Sequence, residues 1–166
     1  MNRQFLLILL SGVIVLGLAM FALVKQNQSS VVQLNGEVKD VLVLALGDGS
    51  SLAMIDFEAK NPSSIGFEVN GVEIEAHVGK DTLPSTLFGK RDLGDVLEFQ
   101  KYTPRYAQIG FGDQVKAGET AKRMVAARFE VMPEQLADAE FVIRFTNVNH
   151  VMSEVKGKKA KRGSKR

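Results

Sequence analysis

Twenty consecutive uncharged residues, Phe5 to Val24 (FLLILLSGVIVLGLAMFALV), constrain this chain more than any other feature. At ~1.5 Å rise per residue, a helix of that length spans ~30 Å, the hydrocarbon thickness of a bilayer. Every peptide group then bonds within the helix, as lipid demands. Arg3 and Lys25 mark the two ends. A cleaved signal peptide is the rival reading. Such peptides have shorter apolar cores and a small-x-small cleavage site. Here Ala22 is preceded two residues earlier by bulky Met20, a poor match. The segment therefore predicts an uncleaved, single-pass anchor. Arg3 and the α-amine precede it and Lys25 alone lies close behind it, which places the amino terminus in the cytoplasm and the rest outside.

Residues 1–30 are thus expected to be anchor and linker, with Gln26 to Ser30 (QNQSS) as a short polar connection. The Asn27-Gln28-Ser29 sequon lies too near the bilayer to be a glycosylation acceptor. The chain beyond the linker can hold one domain, because ~120 residues bury roughly two-thirds of their unfolded-chain surface. The chain has no cysteine, which excludes a disulfide framework and thiolate-ligated metal sites. Charge is unevenly distributed. The first 155 residues carry 14 Lys/Arg against 19 Asp/Glu, whereas the last eleven carry seven Lys/Arg and no acid.

Past the linker the dominant period is two. Val41 to Leu46 (VLVLAL) suits a strand buried on both faces, and Gly47-Asp48-Gly49-Ser50 is a turn. From Leu52 to Lys60, Ala53, Ile55, Phe57 and Ala59 alternate with Met54, Asp56, Glu58 and Lys60, predicting one buried and one wet face. Asn61-Pro62 ends that strand. Asn70-Gly71 predicts a two-residue hairpin turn between Phe67–Val69 and Val72–Val78. The stretch from Lys80 to Val115 is hard to read, with a helical turn or an edge strand expected within Asp92 to Lys101. Ala117 to Thr120 reads as a turn and Arg123 to Val131 as a strand. Pro133 opens a short helix, and Glu140 to Asn147 is the expected last strand. The sum is an all-β fold: a transmembrane helix followed by an antiparallel β-sandwich over residues 31–150.

Two stretches resemble known families. Ile55 to Pro62, ending in Asn-Pro, followed by Phe67 to Glu75, resembles the type 2 late-embryogenesis-abundant, or water-stress-and-hypersensitive-response, domain. Gly118-Glu119-Thr120, leading into Arg123 to Val131 and the Pro133 turn, is similar to the end of telokin-like bacterial extracytoplasmic domains. Both resemblances imply an immunoglobulin-like or fibronectin-type sandwich without catalytic residues.

No catalytic constellation is visible. There is no Gly-x-Ser-x-Gly and no phosphate loop behind Gly110-Phe111-Gly112. The two histidines, His77 and His150, lack a second ligand at metal-binding spacing. The expectation is no enzyme, no metal and no cofactor. Two segments suggest binding instead. Lys101-Tyr102-Thr103-Pro104-Arg105-Tyr106 holds both tyrosines of the chain among cations, a composition typical of recognition surfaces; its partner-binding candidates are Lys101, Tyr102, Arg105 and Tyr106. The alternative is that both rings cap the core while the cations extend to water. Residues 151–166 read as a disordered basic tail. Its cations Lys156, Lys158, Lys159, Lys161, Arg162, Lys165 and Arg166 suit anionic lipid or an acidic protein. Without an aromatic in the tail, nucleic acid is an unfavoured partner. The sequence thus reads as a binding or structural module of the cell envelope, held in the inner (cytoplasmic) membrane with its domain extracytoplasmic. The other reading is an accessory subunit of a membrane enzyme or transport complex, docked through the anchor helix.

Overall fold

A computed structural model of the chain describes residues 12–21, 32–157 and 161–162. The chain divides into two units, residues 1–31 and 32–166. In the first, residues 12–21 form a helix, α1, with exposed apolar side chains. The remainder of the expected anchor, residues 5–11 and 22–24, lies outside the described residues, as does the linker with its sequon. Among the described residues no helix is long and apolar enough to cross a membrane.

The second unit is mostly β. Its strands are β1 (Asn35–Ala45), β2 (Ser51–Lys60), β3 (Phe67–Val78), β4 (Asp81–Pro84), β5 (Thr86–Leu87), β6 (Gln114–Val115), β7 (Thr120–Phe129), β8 (Glu140–Asn147), β9 (Met152–Gly157) and β10 (Lys161–Arg162). A helix, α2 (Lys90–Gln100), and a 3-10 turn (Pro133–Leu136) interrupt them. The ladder runs β4-β3-β8-β9-β1-β2-β7-β5. The segment after α2 then crosses from one side to the other: Gln108 lies beside Met124 of β7, and Val115 beside Phe67 of β3. The sheet thereby curls into a nearly closed barrel.

Period-two side chains fill the interior. Phe57, Phe67, Phe129, Phe141 and Phe145 are fully buried. The Phe57 and Phe145 rings sit 5.3 Å apart, and Phe129 meets Phe141 edge-on at 5.9 Å. Burial of each such ring is worth about 2–3 kcal/mol, and the edge-on geometry suits the ring quadrupoles. The turn at Gly47 to Ser50 forms as expected, with Leu46 N donating to Ser50 O at 2.9 Å and Gly49 at φ 83°. The short helical turn at Pro133 and the strand Glu140–Asn147 also form.

Three expectations are corrected. Asn70-Gly71 makes no hairpin turn, since β3 runs unbroken from Phe67 to Val78. Neither residue has the positive φ that such a turn requires. Instead β3 pairs along its length with distant β8, and the register slips between Val69 and Gly71. That ladder satisfies more backbone groups than a local hairpin would. Second, β2 has no wet face over its first half, for Leu52 and Met54 are as buried as Ala53 and Ile55. Third, the domain continues past residue 150. Strand β9 buries Ser153 and Val155 and lies between β8 and β1, antiparallel to the first and parallel to the second. Lys156 therefore belongs to the sheet, where it pairs with Glu154 at 3.2 Å. Lys161 and Arg162 form β10 beside Leu42 and Val43. Lys158, Lys159, Lys165 and Arg166 lie outside the described residues.

Candidate functional site

The outer face of β1, β2 and β7 explains the buried Leu52 and Met54. In α2, Leu93, Val96 and Leu97 follow i, i+3, i+4 spacing and so share one side of the helix. They pack with Leu52, Met54, Met124 and Ala126 in an apolar cluster outside the barrel. Asp92 in the first turn complements the helix dipole. The helix stops at Lys101, which adopts a left-handed conformation (φ 51°, ψ 41°). Lys101 N donates to Glu98 O at 3.1 Å, and Tyr102 N to Leu97 O at 3.0 Å. This fold-back sends the chain across the same sheet face. Met124 N donates to Ala107 O (3.1 Å) and Ile109 N to Met124 O (2.9 Å). The edge of β7 is thus covered first by β5 and then by residues 107–109, which leaves little of it open to another chain.

Between α2 and the returning segment lies a cleft of about 510 Å³, within the range of small-molecule sites. Leu93, Leu97 and Met124 supply apolar walls, while Lys90, Arg105 and Tyr106 supply polar ones. Lys90 is held by Asp113 at 3.0 Å. Gln108 Nε2 donates to Phe88 O at 2.5 Å, and its buried Oε1 has no donor. The cleft therefore offers two cations, an apolar floor and a buried acceptor.

A second, smaller cavity of about 30 Å³ adjoins it behind Pro104. Asp40 and Asp56, directly opposed on β1 and β2, line it together with Tyr102. Burial raises the Asp56 carboxyl above its ordinary range; the Arg105 charge opposes this and the Asp40 charge adds to it. Burial also raises the Tyr102 phenol, with Asp56 contributing and Arg105 opposing. One cation therefore serves both groups.

The structure brings Tyr102, Arg105 and Tyr106 to this face but leaves Lys101 at the helix terminus, exposed. Tyr106 is half-buried against the outer apolar cluster, and Tyr102 remains 38% exposed. Sequence reasoning missed Lys90, Leu93, Leu97, Gln108 and the Asp40–Asp56 pair. The Leu93–Val96–Leu97 spacing was the available signal. His77 donates to Glu75 at 3.2 Å, and Glu75 also accepts from Arg144 at 2.6 Å. Among the described residues no group of three His, Asp or Glu side chains could hold a metal ion.

No family model matches the chain. No curated protein matches it either. Among solved structures, it is similar to a candidate lipoprotein from Bacillus subtilis, at 11% identity and a TM-score of 0.46 over 76% of this chain. The match spans about a third of that protein's length (36%).

Proposed function

We propose that this protein is a non-catalytic binding module of the cell envelope, anchored in the cytoplasmic membrane by residues 5–24 with its β domain outside. The cleft between α2 and Pro104–Gln108 is the observation that carries this reading. Its cations and apolar floor are what a partner's anionic and apolar groups would engage. We read the domain as immunoglobulin-like, of the kind the late-embryogenesis-abundant and telokin-like resemblances imply. Its two halves, β4-β3-β8-β9 and β1-β2-β7-β5, meet along the short parallel pair of β9 and β1. The basic end of the chain is read as a contact for an acidic protein. Strand β10 puts two of that end's cations, Lys161 and Arg162, beside Leu42 and Val43 of β1.

A photo-crosslinking residue in place of Tyr106, in intact cells, tests the cleft. One discrete adduct is expected there, lost on Arg105→Glu and absent when the same residue replaces exposed Glu73. No adduct at position 106, or the same adducts at both positions, overturns the reading. A crosslinker within residues 5–24 distinguishes the accessory-subunit alternative, because adducts confined to that segment would support docking through the anchor helix.

A further inference from the structure

Strand directions gather a specific set of loops at one tip of the barrel. Lys60 of β2 lies opposite Asn35 of β1, and Thr120 of β7 opposite Lys60. Val69 near the start of β3 lies opposite Asn147 at the end of β8. The turns at 61–66, 110–113 and 147–151 therefore share that tip. Each displays a large apolar side chain. Phe111 is 81% exposed, and Ile65 and Val148 are more than half exposed, as is Met152 at the start of β9. Such side chains on a domain with a full core need a covering partner more than isolated surface residues do.

These turns are built structures. Gly112 N donates to Val69 O at 2.8 Å and Val69 N to Asp113 O at 2.9 Å. Gly110 N donates to the Asp113 carboxylate at 2.7 Å, and Gly112 takes φ 79°. Phe111 is held outward by this turn. In the next loop Asn147 Oδ1 accepts from Asn149 N (2.9 Å) and Val151 N (2.8 Å), fixing the turn that carries Val148. Exposed Lys60 and Lys116 occupy the same tip.

The chain enters the domain at this tip. Val32 O accepts from Asn147 Nδ2 at 3.4 Å, and Leu34 N donates to Ser153 Oγ at 2.8 Å. Residues 25–31 separate Val32 from the uncharged segment and reach ~25 Å at full extension. Strand β3 alone, with twelve residues, is ~40 Å long. In a chain held in lipid by residues 5–24, a tether of that length puts the Val32 tip within reach of the bilayer.

We infer that this tip is a membrane-contacting surface, with Phe111, Val148 and Ile65 entering the interface of an anionic bilayer while Lys60 and Lys116 meet its headgroups. The inference rests on the anchored reading proposed above. Apolar side chains at the interface with cations beside them is the chemistry of peripheral lipid contact.

The chain has no tryptophan, so one introduced indole reports alone. The full chain carrying Phe111→Trp is reconstituted into phosphatidylcholine–phosphatidylglycerol vesicles with and without brominated lipid. Met132→Trp, exposed at the opposite end, is the comparison, and Val148→Trp is a second tip reporter. The tip reporters should shift to the blue and lose about half their emission to bromine, as interfacial side chains do, whereas Met132→Trp should stay unquenched. Equal quenching at both ends, or none at the tip while the chain survives an alkaline wash, overturns the inference and leaves the anchor standing. Tip quenching in a chain that the wash releases would overturn the anchor and keep the tip. A chain that is both released and unquenched overturns both.

Discussion

At the scale of residues, buried polar groups tie the turns together. Asn61 is fully buried, and its bonds tie its own turn to β6 and to the turn before β7. Its Nδ2 donates to Ile65 O (2.8 Å) and Val115 O (3.0 Å), and its Oδ1 accepts from Ser63 N and Oγ. The Asn-Pro pair was legible as a strand end. That the asparagine also binds β6 was not, because Val115 lies 54 residues away. Asp56 is the opposite case, a carboxylate placed where burial disfavours its charge. A folded-state pKa above the unfolded one means stability is fully present below the unfolded value and falls as pH rises through the folded one. Asp56→Asn should therefore raise Tm at pH 7, with the advantage shrinking as the pH falls through the raised folded value and gone below the ordinary carboxylate range. Thermal melts across pH check this; a neutral or destabilising effect at pH 7 would show that Arg105 fully compensates the buried charge.

At the scale of elements, period two was enough to find β7 and β8 from their inward residues, Val125, Ala127 and Phe129 in the first and Phe141, Ile143 and Phe145 in the second. It failed where a second layer covers the sheet. Nothing in Leu52 to Lys60 announces that Met54 faces a helix, because that burial depends on α2 arriving from forty residues later. α2 itself was obscured by Gly94 and by an unhelpful start, since Gly89 supplies no side-chain cap. Packing, not propensity, stabilises such a helix. Leu93, 3% exposed, is the deepest of its described side chains. Leu93→Ala should cost about 2–4 kcal/mol and should weaken crosslinking at position 106 as well, because the same helix walls the cleft. Chemical denaturation measures the first effect. Full stability in the variant would mean that α2 is not docked as described.

At the scale of the molecule, the two halves of the sheet are joined through the strand that reads as tail. Lys156 to Arg166 is dominated by Lys and Gly, so composition argued for disorder there, yet Ser153 and Val155 just before it alternate inward in phase with β8. Gly157 shows why the composition and the strand coincide: a Cβ there would fall on Val38, so only glycine lets β9 lie against β1 at that register. Without β9, β8 loses one of its two neighbours and Val155 leaves the core. A chain stopped after His150 should fail to fold, whereas one stopped after Gly157, lacking only β10 and the terminal cations, should keep its cooperative unfolding transition. Circular dichroism melts of both in detergent decide the matter. A cooperative transition in the shorter chain would reduce β9 to an accessory edge and return the domain boundary to residue 150. Loss of the transition in the longer one would instead place the essential closure at the pairing of Lys161 and Arg162 with Leu42 and Val43.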